Sequence, residues 1–281
     1  MNPIQFNIPT LKWNIYKSFR NNSKKYDISP MIPGKPSTYI YNNEKEYIKH
    51  YSECKYAITC KKKGWECLRH YEILLAGCIP FFIDIDNIPN NTMVKFPKKV
   101  VKDAMNIDGV PTQEEIKDAI KHNKPLPPIN YNLFSIEKYN KLRNQLLEYT
   151  NNYLLSKYID ISTKSNVFLY SYIWGHNQDT MWIDYQRDLL VIGLLERGVK
   201  VYTNCNFSYL FTDYNGPTKH LYGKGFIITR SVPAKFKKNV NKLPYNDKDK
   251  DILVNKTTYI VTTLSNMCPP LTSSIPLIIM I

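Results

Sequence analysis

Arg69 and Glu72 are the pair in this chain whose types and spacing could do chemistry. They stand three residues apart in Cys60-Lys61-Lys62-Lys63-Gly64-Trp65-Glu66-Cys67-Leu68-Arg69-His70-Tyr71-Glu72-Ile73-Leu74-Leu75-Ala76-Gly77-Cys78-Ile79-Pro80-Phe81-Phe82-Ile83-Asp84. A guanidinium can hold phosphate oxygens, and a carboxylate accepts bonds from sugar hydroxyls. Lys61, Lys62 and Lys63 with Gly64 make a cationic turn just ahead of them. Such a turn at a helix start, inside a strand-helix-strand unit, suits a nucleotide diphosphate. The competing reading is a solvated i,i+3 pair on an exposed face, and the helix geometry alone leaves both open.

The elements that must position this pair are legible around it. Lys55 to Cys60 reads as a strand, and Ile79 to Asp84 is a nearly unbroken apolar run, as in a parallel strand covered on both faces. Between them Cys67, Tyr71, Leu74, Leu75 and Cys78 recur at i, i+4, i+7, i+8 and i+11, which predicts a helix from Trp65 to Ala76 with these residues buried. A rotation of about 100° per residue puts Trp65, Arg69, Glu72 and Ala76 opposite, with Arg69 and Glu72 expected to be open to a cleft. Gly77 suits the left-handed stop after the helix. His70 falls between the two faces, placed to pack against the neighbouring strand. Trp65 could stack on a base or sugar ring, or pack beside the glycine turn.

Glu72-Ile73-Leu74-Leu75-Ala76-Gly77-Cys78-Ile79-Pro80 resembles the Glu-x4-Gly-Cys-Ile-Pro signature of exostosin-like glycosyltransferases. Gly64 to Tyr71 and Asn91-Thr92-Met93 are similar to a branch of that family seen in large DNA viruses; the match spans roughly residues 55 to 105. The resemblance implies an α/β fold of the GT-B type, with two Rossmann-like lobes facing a cleft, and no metal. It implies transfer of a sugar from a nucleotide-diphosphate sugar to a glycan or glycoprotein acceptor. Glu72 would hold the ribose, and Arg69 with Lys61, Lys62, Lys63 and Gly64 the phosphates. The alternative is a catalytically inactive glycosyltransferase-like binding protein or fragment. Asp84-Ile85-Asp86 mimics the Asp-x-Asp of metal-dependent transferases, but the resemblance assigns this strand to a metal-free fold.

Composition bounds the other possibilities. The 281 residues suffice for two domains, and 43% hydrophobic with 22% charged residues is a globular balance. The 22 tyrosines follow the lysine, asparagine and isoleucine excess of an AT-rich genome. The net charge of +14 is mostly dispersed lysine, and no zinc finger, basic zipper or RNA-binding signature accompanies it, so no specific nucleic-acid partner is expected. The six cysteines lack CxxC spacing and suit buried thiols in a reducing compartment. Met1-Asn2-Pro3-Ile4-Gln5 lacks the regions of a signal peptide, and no apolar run approaches the roughly 18 residues of a membrane span, so a cytoplasmic protein is expected, in the host cytoplasm if viral.

Residues 1–36, broken by five prolines, are expected to be irregular. A nucleotide-sugar lobe is expected over 37–134, with capped helices after Asn43 and Thr112 and a basic helix near Lys98 to Met105. A long helix over 135–160 is expected to join the lobes. A second lobe over 161–281 begins with a strand at Asn166, a turn at Gly175-His176-Asn177, a helix from Met181 to Arg197 and a strand at Val199. It lacks G-x-G-x-x-G, which argues against a dinucleotide site. Gly225 to Arg230 and Thr257 to Thr263 read as further strands, and the lobe reads as cut short, its apolar tail either completing a sheet edge or lying exposed. His176, Asp213 and His220 are the candidate bases for an acceptor hydroxyl, none favoured over the others.

Overall fold

The computed structural model describes residues 7–153, 166–170, 183–242, 259–262 and 277–279. The chain divides into two compact units, Met1–Ile8 with Lys12–Leu155 and Pro9–Leu11 with Ser156–Ile281. Both are α/β, built on parallel sheets.

The first unit carries β1 (Tyr26–Ser29), β2 (Cys54–Thr59) and β3 (Ile79–Phe82), hydrogen-bonded in that order and all parallel. Around them lie α1 (Thr10–Ser18), α2 (Glu44–Glu53), α3 (Leu68–Leu75), α4 (Lys98–Met105), α5 (Gln113–Lys121) and α6 (Ile136–Tyr153). Every residue of β2 and β3 is buried, as expected for strands covered on both faces. β3 is an edge strand. Phe82 turns its N–H away from β2 to the Met105 sulfur at 3.2 Å, so Pro80, two residues earlier with the same orientation, gives up no ladder bond. The caps form as the sequence predicts: Asn43 accepts from Lys45 N, and Thr112 and Glu115 close a reciprocal capping box.

Residues 1–36 were expected to be irregular, yet they hold α1 and β1. β1 escapes a pattern search because it is four residues long and takes its order from β2, in register Tyr26↔Cys54 and Ile28↔Tyr56. The long helix, expected to join two lobes, is described over Ile136–Tyr153 and packs on α3 and α4 within the first unit. Its stripe of Tyr139, Leu142, Arg143, Leu146 and Tyr149 is buried.

The second unit has β4 (Asn166–Tyr170), α7 (Tyr185–Glu196), β5 (Lys200–Thr203), β6 (Val240–Lys242), β7 (Tyr259–Thr262) and β8 (Leu277–Ile279). The sheet order is β6-β5-β4-β7-β8, all parallel. The chain winds outward from β4 to β6, then returns to the other side of β4, which is the doubly wound order with its reversal between β4 and β7. The apolar tail, expected either to complete an edge or to lie exposed, supplies β8 at the sheet margin. Gly225 to Arg230 is not a strand: Gly225, Ile227 and Arg230 all have left-handed φ values of 55–74°, which curl this segment into turns.

Gly109 sets the bend between α4 and α5 with φ of 84° and accepts from Asn130 N at 2.8 Å. A Cβ at this position would run into the Asn130 carbonyl oxygen. Gly109→Ala is expected to destabilise the first unit by more than about 1 kcal/mol, read as a lower urea midpoint at unchanged m-value.

Candidate functional site

The cationic turn lies between the C-terminal end of β2 and the start of α3, with Lys61, Lys62, Lys63 and Gly64 all exposed. His70, fully buried, fixes both sides of it. Its Nε2 donates to the Trp65 carbonyl at 2.8 Å, which leaves Nδ1 to accept from Thr59 Oγ1 at 2.8 Å. Burial pushes the His70 pKa down to about 4, which favours the neutral ring with Nδ1 as the acceptor. Trp65 packs on Phe82, ring centroids 6.4 Å apart, with the Lys61 ammonium 5.1 Å over its ring.

The helix is shorter than predicted, beginning at Leu68 with Cys67 as N-cap, and no side chain caps its first turn. The start of α3, with no side-chain acceptor at its cap, thus follows the lysine turn in the chain.

Glu72 is not open to a cleft, as its spacing predicted; only 7% of it is exposed. The reason is α2, which packs over the polar face of α3 and brings Tyr47 and Tyr51 with it. The Tyr47 hydroxyl donates to Glu72 Oε2 at 2.9 Å, and the Tyr51 hydroxyl lies 3.4 Å from that of Tyr47. Burial pushes the Glu72 pKa up to about 7, against the Tyr47 bond and the Arg69 charge, which lower it. Nearby on α1 and α2, Glu44 takes a bond from Tyr16 at 2.6 Å and an ion pair from Lys12 at 2.5 Å.

Arg69 is also not on a solvated face. It is half-buried, its guanidinium 5.0 Å over the Tyr39 ring. Its Nε is shut off from solvent without an acceptor, and among the described residues it forms no ion pair with Glu72 or any other carboxylate. Burial works against its charge, but the surrounding Tyr47, Tyr51, Tyr39 and Glu72 more than offset that and raise its pKa.

Asp84 and Asp86 each have their own lysine, Lys117 at 2.6 Å and Lys102 at 2.5 Å, so a cation bridging them would have to displace both. Among the described residues no cluster of three or more metal-ligating side chains occurs.

In the second unit the start of α7 is closed. Asp184 Oδ1 accepts from the N–H groups of Gln186 and Arg187, so an anion there would meet a carboxylate. Behind it Asp188 and Arg187 form a buried pair at 2.8 Å, completed by the Tyr209 hydroxyl at 2.8 Å from Asp188. Burial raises the Asp188 pKa to about 6. Asp213 is exposed and paired with Lys237 at 2.7 Å, which holds its pKa below the usual carboxylate value. His220 is exposed, and His176 lies outside the described residues. Ligands of doubly wound sheets bind beyond the C-terminal ends of the strands flanking the reversal. Here those are Tyr170 of β4 and Thr262 of β7.

No protein-family model and no curated protein matches the chain. Among solved structures, an apo form of D-mandelate dehydrogenase from Rhodotorula graminis is similar at 8% identity and a TM-score of 0.18. The alignment covers 91% of this chain and spans 56% of that one. A likeness of this size carries no argument, so the glycosyltransferase resemblance rests on its motif residues.

The shifts at Glu72 and His70 act in opposite directions. Glu72 binds its proton more tightly folded than unfolded, a stabilisation present at low pH and lost as pH rises from about 4.5 to 7. His70 binds it more weakly, a stabilisation present above about 6.5 and lost as pH falls toward 4. In Glu72→Gln only the second remains. The stability of this variant relative to the parent is expected to improve steadily from pH 4.5 to 7, measured by denaturant unfolding at each pH.

Proposed function

We propose that the chain is a metal-independent glycosyltransferase of the two-lobed GT-B type, with its nucleotide-diphosphate-sugar donor at the start of α3. The observation that carries the proposal is the Arg69 guanidinium, half-buried, lacking a carboxylate partner and with Nε unpaired. A buried donor left unmatched costs about 1–3 kcal/mol, and more for a charged group, which an anionic ligand would relieve. The uncapped first turn of α3 and the exposed Lys61, Lys62 and Lys63 add donors and positive charge on the same side. Glu72 is reached by exchange: a ribose hydroxyl would take the place of the Tyr47 hydroxyl as its hydrogen-bond donor. The acceptor would be a glycan or glycoprotein. A cytoplasmic setting suits the free thiols of Cys54, Cys60, Cys67, Cys78 and Cys205.

A second reading, an inactive fold that binds sugar nucleotide without transferring sugar, is favoured by Asp213. A carboxylate committed to Lys237 with a lowered pKa is a weak base. Turnover assays with sugar nucleotides separate the two readings.

Donor binding itself is tested by calorimetry with UDP and GDP. Arg69→Ala is expected to weaken the diphosphates more than tenfold, the loss of a charge-assisted bond worth roughly 1.5–3 kcal/mol, while leaving uridine and guanosine nearly unaffected. Equal affinities in parent and variant, or no binding of any nucleoside diphosphate, would remove the donor site from α3.

A further inference from the structure

Three exposed lysines do not by themselves make an anion site. A lysine stem is flexible, and an ammonium held in place beforehand binds an anion at lower entropic cost. Of the three in the turn, Lys61 has a support: its ammonium lies 5.1 Å over the Trp65 ring. That ring stacks on Phe82, with centroids 6.4 Å apart and planes 28° from parallel. Phe82 is fully buried and ends β3. The turn also ties itself together, since Lys62 N donates to the Gly64 carbonyl at 3.1 Å and Cys67 Sγ to the same carbonyl at 3.7 Å. Those two bonds shape the turn without fixing its place against the sheet.

That place is set at Trp65, whose carbonyl accepts from His70 Nε2 at 2.8 Å. The imidazole cannot swing away. Thr59, at the end of β2, bonds its Nδ1 at 2.8 Å, and the rings of Phe82 and Phe96 lie against it with centroids 4.6 and 5.9 Å away. An apolar side chain would fill this fully buried position without the cost of burying an imidazole. What it could not do is donate to Trp65. Burial keeps the ring neutral, its pKa lowered to about 4, so the single N–H on Nε2 stays directed at the turn.

We propose that His70 is a positioning residue for the anion site: it fixes the Trp65 backbone to the sheet and so sets the ring on which Lys61 is held ready for a phosphate oxygen. Support runs from Thr59 and Phe82 in the sheet, through His70, to Trp65 and then to Lys61. His70 touches no ligand in this arrangement and acts only through where it puts Trp65. This role rests on the reading of the α3 start as a diphosphate site, and needs neither the ribose contact at Glu72 nor sugar transfer.

Pyrophosphate, UDP and GDP are the probes, titrated by calorimetry into the parent protein, His70→Gln and His70→Met, with thermal melting as the check on folding. Gln and Met are alike in length and volume, but only Gln carries an N–H donor as far along the side chain as Nε2. His70→Met is expected to weaken all three probes by at least about fivefold, while His70→Gln stays within about twofold of the parent. Lys61→Ala is expected to weaken pyrophosphate in the parent and to add little in His70→Met, since the two act in series. The outer link is tested without touching the core: Trp65→Leu, at a half-buried position, is expected to weaken pyrophosphate, and Trp65→Phe to retain most of the binding. Equal affinities in the Gln and Met variants, additive losses for His70 and Lys61, or a Trp65→Leu variant that binds as the parent does would each overturn the positioning role. Pyrophosphate binding with the Gln–Met difference, but no binding of UDP or GDP, would uphold that role and remove the nucleotide reading alone. Nucleotide binding indifferent to His70 would do the reverse, and no binding of any probe would remove both.

Discussion

Three cations, and no carboxylate among the described residues, close the C-terminal end of α3, the helix that carries Arg69 and Glu72. Arg20 Nε donates to the Leu75 carbonyl at 2.9 Å, while Lys24 Nζ and Arg143 Nε both donate to the Gly77 carbonyl at 2.8 Å. They complement the negative end of the helix dipole and the last carbonyls, which lack intrahelical partners. The cost is visible in their protonation. Burial first, then repulsion from Arg143, lowers Arg20 to about 10; burial likewise dominates in lowering Lys24 to about 8. Arg143 comes from α6 and the other two from the segment between α1 and β1, so a single helix end draws both to it. The opposite end of α3 follows the lysine turn in the chain.

The two strand-helix-strand units end their helices alike and begin them differently. After α3, Gly77 N bonds to Leu74 O and Cys78 N to Ile73 O; after α7, Gly198 N bonds to Leu195 O and Val199 N to Leu194 O. Each is a Schellman stop with glycine in the left-handed position, φ 74° and 77°. At the start, α7 spends its free N–H groups on Asp184, whereas α3 has no side-chain cap and stands behind three lysines. One scaffold thus presents an anion-repelling start in one unit and an anion-attracting start in the other.

What was legible in the sequence is what local physics decides. The glycine stops, the capping box at Thr112 and Glu115, the cap at Asn43 and the fully apolar run of β3 each follow from short-range hydrogen bonding or burial, and each is present. The exposure of Glu72 was not legible, because the polar face of α3 is covered by α2, a neighbour that helical spacing cannot reveal. β1 was not legible either: Tyr26-Asp27-Ile28-Ser29 is too short to show a period, and its pairing with β2 is a tertiary fact. The misread strand at Gly225 to Arg230 failed on backbone conformation, since apolar residues such as Ile227 rarely accept left-handed φ.

Stability alone does not account for the cluster around α3. A guanidinium and a carboxyl set among Tyr39, Tyr47 and Tyr51, not paired with each other, are a worse solution than apolar residues of similar volume would be. The conflict is local: Leu68, Ile73, Leu74 and Leu75 are buried apolar residues and the buried His70 has both ring nitrogens bonded, which leaves Arg69 and Glu72 as the residues that break the pattern. Local exceptions of this kind are expected at functional or strained sites and not in the ordinary core. The Tyr47 hydroxyl on Glu72 is the kind of partner such a position needs in the absence of ligand, a single neutral donor that can be exchanged. A charge partner would be far harder to displace, and among the described residues neither Arg69 nor Glu72 has one.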